Sequence, residues 1–173
     1  MSFVRLPLLI CLGLLLAAPL GALAQSRGQD ETVSLRGGVG FTADPGAFLL
    51  GIDVPFRISE NVAMGPSMQL GLDDDSTFFA PTWSGEFRLP IENTNAVPYF
   101  HAGLGAAYLE KERRRRRDKD DVGFLIAFGL GGDFFVSDEF ALGSRVTFNV
   151  MPDDVVDEHF IFSWQVVTGR FSF

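Results

Sequence analysis

The chain has 173 residues, with 14 Lys and Arg against 22 Asp and Glu, a formal charge of −8, one cysteine, 18 phenylalanines and 19 glycines. That balance argues against a nucleic-acid binder, because affinity for a polyanion rests on a surplus of cations. One cysteine, Cys11, leaves no internal disulfide framework, so packing and hydrogen bonds must hold the fold.

Residues 1–24 open on a short basic start, Met1–Arg5, run through the apolar stretch LPLLICLGLLLAAPLGA and close on Ala22-Leu23-Ala24. This is the order of a secretory signal peptide, with Gln25 as the expected mature N-terminus. A transmembrane anchor fits less well, because the apolar run is only as long as a signal core and the polar QSRGQDE follows it. Cys11 sits inside the apolar core, which argues against lipidation. Residues 25–31 form a short N-terminal segment, and 32–173 are expected to be one domain.

Eight strands are expected at about 32–42, 46–58, 63–72, 78–90, 97–109, 122–135, 140–151 and 159–173, because apolar residues recur every second position between Gly, Pro, Asn and Asp clusters. In the first, Val33, Leu35, Val39 and Phe41 oppose Ser34, Arg36 and Thr42. In the second, Phe48, Leu50, Ile52, Val54, Phe56 and Ile58 oppose Gly51, Asp53, Pro55 and Arg57. Alternate side chains of a strand point to opposite faces, so one face is apolar and the other carries charge. The same reading sets Phe79, Trp83 and Phe87 against Glu86 and Arg88, Phe124, Ile126 and Phe128 against Gly129 and Asp133, and Val146 and Phe148 against Arg145 and Asn149.

The spacers alternate in kind. ISEN (58–61), IENTNA (91–96) and VSDE (136–139) are compact, and FRISENVAMG and FFVSDEFALG look like one hairpin turn used twice. The other set, ADPG (43–46), DDDST (73–77), residues 110–121 and PDDVVDEH (152–159), concentrates the charge.

A soluble sandwich would bury the apolar face. Here the polar face is rich in glycine (Gly38, Gly40, Gly51, Gly65, Gly71, Gly103, Gly105, Gly129, Gly131) and the apolar face holds most of the aromatics. Small residues suit a crowded inside, and bulky aromatics suit acyl chains and the interfacial zones of a bilayer. A spanning β structure must close so that no backbone group is left unpaired in hydrocarbon, and tilted strands of roughly 9–11 residues cross it.

The last strand, FIFSWQVVTGRFSF, sets Phe171 and Phe173 on the face of Val167, but Phe160, Phe162, Trp164 and Val166 have the opposite parity. A β-bulge is expected near 164–167. With its terminal aromatic, the strand grammar, PYFHAGLGAAYLE and FFVSDEFALGSRVTF, the chain resembles the small eight-stranded outer-membrane β-barrels, the OmpA/OmpX-like superfamily. The resemblance implies an all-β, antiparallel up-and-down transmembrane barrel in the outer membrane of a Gram-negative bacterium. It further implies termini and three short turns in the periplasm, four outward loops, and Phe171 and Phe173 as a signal to the barrel-assembly machinery.

An eight-stranded barrel is just wide enough for side chains to fill. The inward residues Arg36, Asp53, Arg57, Glu86, Arg88, Asp133, Arg145 and Arg170, with Gln69 and His101, are read as a plug-like charge network in which the acids are counter-ions to the arginines. Arg113, Arg114, Arg115, Arg116 and Arg117 lie among Glu110, Glu112, Asp118, Asp120 and Asp121. They are read either as a solvated, nearly self-neutral hairpin tip or as a grip on lipopolysaccharide phosphates at the outer leaflet. No cofactor or metal is expected, since no ligand spacing matches a known site. Among candidates for a lipid A-modifying enzyme, His159 and Ser163 are four apart, too far for a base to reach a nucleophile without a bulge, and Glu158 and His101 add no triad.

The sequence therefore points to a non-enzymatic, monomeric barrel in contact with outer-membrane lipid and lipopolysaccharide, serving envelope integrity or adhesion. The alternatives are a narrow channel or cavity for a small solute, and a lipid A-modifying enzyme.

Overall fold

The computed structural model describes residues 33–43, 46–74, 76–111, 119–155 and 158–173. Nine strand segments form one antiparallel sheet: β1 (Ser34–Ala43), β2 (Ala47–Asp53), β3 (Phe56–Arg57), β4 (Val62–Leu72), β5 (Ser76–Arg88), β6 (Ala96–Lys111), β7 (Lys119–Phe135), β8 (Phe140–Val155) and β9 (Glu158–Ser172). β2 and β3 both pair with β4 and are one barrel strand broken at Val54-Pro55. Proline has no N–H for the ladder. The break is bridged because Val54 N donates to Pro66 O and Ser34 N donates to Pro55 O, each at 2.9 Å.

Each strand pairs with its sequence neighbours, and β1 pairs with β9 as well as β2, so the sheet closes into an eight-stranded up-and-down barrel with no edge. The eight strands lie where the period of two places them. The main difference is at the loop end, where the β6–β7 ladder runs out to Lys111↔Lys119 and β8 reaches Val155. Strands of this length extend past the roughly 9–11 residues that cross hydrocarbon.

Burial along β2 alternates strictly, with Ala47, Leu49, Gly51 and Asp53 buried and Phe48, Leu50 and Ile52 exposed. The outward apolar residues continue around the wall, with Phe100 and Leu104 each 57% exposed and Phe128, Leu130 and Phe134 exposed beside them. Such a girdle loses free energy in water at about 25 cal/mol per Å² of apolar surface and is stable against acyl chains.

The compact turns repeat one geometry. Ile58 N and Ser59 N both donate to Val62 O, at 2.9 and 3.1 Å; Val136 N and Ser137 N both donate to Phe140 O at the same two distances. The longer turn places Asn93 at φ 60°, a left-handed conformation that asparagine tolerates.

The phase slip in the last strand is a bulge at Val166 and Val167. Val39 pairs with Val167 and Gly40 with Gln165, leaving Val166 as the extra residue, and both valines face outward. Ser144 pins it, donating to Gln165 O at 3.1 Å while accepting from Trp164 Nε1 at 2.9 Å.

The interior differs from a uniformly charged and glycine-lined one. Toward the long loops, Phe78, Ala80, Ala107, Leu109, Leu125, Met151 and Ile161 form a buried apolar cluster inside the barrel. Sequence reading assigns these residues to neither face, although their parity with Thr82, Gly129, Asn149 and Ser163 is inward, because they sit in runs such as Phe78-Phe79 and Phe160-Ile161-Phe162 that are apolar on both parities.

Candidate functional site: the barrel interior

Three tiers of side chains occupy the interior. The tier nearest the compact turns is ionic, because β1, β2, β5, β7, β8 and β9 each carry a charged residue on an inward position there. Arg36 on β1 donates to Glu86 on β5 through both terminal guanidinium nitrogens, Nη1 and Nη2, the second bond at 3.2 Å. Asp133 on β7 is the hub. Its Oδ2 accepts from Arg36 Nη2 at 3.1 Å, Arg170 Nη1 at 3.2 Å and Arg88 Nη2 at 3.4 Å. Arg170 also donates to Ser34 Oγ at 2.8 Å. Beside this hub Arg145 donates to Asp53 Oδ2 at 2.7 Å and to His101 Nδ1 at 3.0 Å.

With Nδ1 accepting from a guanidinium, His101 is a neutral imidazole whose Nε2–H donates to Val146 O at 3.1 Å. Tyr99, two residues before His101 on the same face, lies under the Arg36 guanidinium at 4.6 Å from its ring centroid, a cation–π contact. Sequence reading passed over Tyr99, although its parity with His101 places it inside. Glycine makes room for these crossings: a Cβ at Gly131 would strike the Tyr99 phenol, and one at Gly51 would strike the Gln165 amide.

The middle tier is built of amides and hydroxyls. Gln69 and Asn149 exchange hydrogen bonds at 3.4 Å, Asn149 donates to Ser163 Oγ at 2.9 Å, and Thr82 meets Ser84 at 3.2 Å. A recess bordered by Asp53, Pro55, Ser67, Ser84, Glu86 and Arg145 has a cavity volume of about 10 Å³, the room of a single water. Above this tier lies the apolar cluster.

Of the residues expected in the lumen, Arg36, Asp53, Glu86, Arg88, Asp133, Arg145 and Arg170 are all buried and joined by contacts to one another. Arg57 is not among them. It stands exposed on β3, past the break at Val54-Pro55 and beside the 58–61 turn, where the strand has reached the rim and the inward direction opens to solvent. Phe171 faces outward against the Phe140 ring at 4.7 Å, and Phe173 is 77% exposed with its N–H on Val33 O at 2.8 Å. Arg113, Arg114, Arg115, Arg116 and Arg117 lie outside the described residues. Ser163 is buried in the lumen as an acceptor for Asn149, while His159 is exposed at the start of β9.

A closed eight-stranded antiparallel barrel, apolar outside and ionic within, is the fold of the small outer-membrane barrels. Similar solved structures include the N-terminal β-barrel domain of Pseudomonas aeruginosa OprF (12% identity, 82% of this chain and 97% of that one, TM-score 0.67). Neisserial surface protein A is similar at 12% identity (84% and 98%, TM-score 0.67), and Ail, the attachment invasion locus protein of Yersinia pestis, at 11% (84% and 100%, TM-score 0.59). No protein-family model and no curated sequence matches the chain.

Proposed function

We propose that this protein is an integral outer-membrane barrel of a Gram-negative bacterium, exported by a cleaved leader, whose lumen is a structural plug and whose role is envelope integrity or contact through its outward loops. The observation that carries this reading is the inverted distribution of polarity: large apolar residues such as Phe100 and Leu104 are exposed, while Arg36, Arg145 and Asp133 are buried. In water both halves of that arrangement are unfavourable; in a bilayer both are favourable. Ail, solved with the heparin analogue sucrose octasulfate, has the same fold, which supports loop-borne adhesion as one form of the role. Charge on the long spacers, including the arginines at 113–117, supports contact with lipopolysaccharide phosphates.

The plug reading is tested by conductance in planar bilayers: a barrel filled by three tiers gives no steady current, and a persistent open level would replace it with the conduit reading. Membrane insertion is tested by heat-modifiable migration on a gel. Replacing Arg113 to Arg117 with serine is expected to lower lipopolysaccharide retention; unchanged retention and permeability would leave the loop as a solvated tip.

A further inference from the structure

The ionic tier carries a surplus of positive charge. Arg36, Arg88, Arg145 and Arg170 face Asp53, Glu86 and Asp133, four cations against three anions, and all seven residues are buried. His101 adds no charge, because its Nδ1 accepts from Arg145. The surplus falls around Asp133, where Arg36, Arg88 and Arg170 share one carboxylate oxygen. Among the described residues of the tier, Arg88 Nη1 and Arg170 Nε, like Arg36 Nε and Arg145 Nε, are buried without a hydrogen-bond partner, Arg88 Nη1 standing 3.9 Å from Glu86 Oε2; four such donors outnumber the one unpartnered carboxylate oxygen, Asp133 Oδ1. A buried, uncompensated guanidinium is strongly unfavourable, and its free N–H groups call for an acceptor.

We infer that the barrel binds one small monovalent anion of halide size at Arg88 and Arg170, beside Asp133. Those two side chains share the Asp133 carboxylate and keep 5% exposure, against 0% for Arg36, which is also bidentate to Glu86. The anion neutralises the tier and accepts from donors that the three carboxylates leave unused. The room that the tier shows, a water-sized recess of about 10 Å³ beside Glu86 and Arg145, sets the expected size at a halide and not at sulfate, gluconate or a phosphate ester. The site is independent of whether the barrel conducts.

The experiment is urea unfolding of the folded barrel in zwitterionic detergent, with chloride exchanged for gluconate at fixed ionic strength so that screening is constant. For a site with a Kd of about 10 mM, raising chloride from about 1 to about 100 mM multiplies the folded-to-unfolded ratio by about 10. Bromide should act alike, and crystals grown in bromide should show its anomalous signal at Arg88 and Arg170. Arg88→Met removes the surplus charge and should abolish the chloride response while the barrel still shows heat-modifiable migration. Arg170→Gln serves the same purpose if Arg88→Met does not fold. A wild-type stability indifferent to chloride, a response retained in both variants, or bromide found only at the outer surface would each overturn the proposal.

Discussion

Arg36 and Glu86 form a bidentate ion pair across the lumen, joining β1 to β5, strands that are not neighbours in the barrel wall. The wall itself is held by ladders between adjacent strands, so this pair ties together parts of the ring that the ladders connect only indirectly. Removing Glu86 leaves Arg36 with only a share of Asp133 as a hydrogen-bond acceptor and the tier with four buried cations against two anions. Glu86→Ala is expected to cost about 3–5 kcal/mol in urea unfolding. The double variant Arg36→Met, Glu86→Leu should recover much of that loss, since apolar replacement of a buried pair is often neutral. A single variant that unfolds like the parent would show that the pair is not a plug.

At the other end of the lumen, Leu125 is fully buried among Phe78, Leu109, Met151 and Ile161. Leu125→Ala leaves a void that a closed ring of strands cannot collapse to fill, and the expected loss is about 2–5 kcal/mol. Urea midpoints measured at constant slope check this. A change below 1 kcal/mol would mean that the apolar tier is loosely packed.

The barrel was legible because most strands keep their period of two over many residues, and the charged lumen because a buried arginine interrupts an otherwise apolar or glycine-rich strand, as Arg36 does between Leu35 and Gly37. The bulge was legible as a parity change between Val166 and Val167. Three things were not. Period alone cannot tell that Arg57 lies at the rim, because the inward direction is the same at the barrel's middle and at its mouth. Nor does it reveal that Leu125, inward by its parity with Gly129 and Asp133, joins an apolar tier, because parity assigns a face and not the neighbours at that height. And pairing Arg36 with Glu86, or Arg145 with Asp53, requires the stagger of the strands, which sets which inward residues share a height.

Two glycines on the wall separate crowding from propensity. A Cβ at Gly129 would collide with the Val146 carbonyl oxygen and the His101 ring, whereas one at Gly37, on the outer face, meets nothing within 4 Å. Gly129→Ala should therefore destabilise by about 1–3 kcal/mol, the range for overpacking. Gly37→Ala should be neutral or stabilise by up to about 1 kcal/mol through a restricted unfolded chain. The urea midpoint should fall for Gly129→Ala and hold or rise for Gly37→Ala; equal losses would mean that Gly37 also packs against something.

The position of the bilayer can be read with single arginines on the outer face. Leu104 lies at the middle of β6 and is 57% exposed, while Phe134 lies near the compact-turn end of β7 and is 56% exposed. In water the two substitutions would be equivalent, because both residues are equally open. In a bilayer, cost depends on depth: Leu104→Arg is expected to lose about 2–4 kcal/mol and Phe134→Arg no more than about 1 kcal/mol beyond the lost aromatic surface. Reversible unfolding from phospholipid vesicles measures both. Because the outer face is otherwise uniformly apolar, a depth-dependent difference reports hydrocarbon around β6. Equal costs would place the Leu104 face against water or protein and remove the membrane assignment.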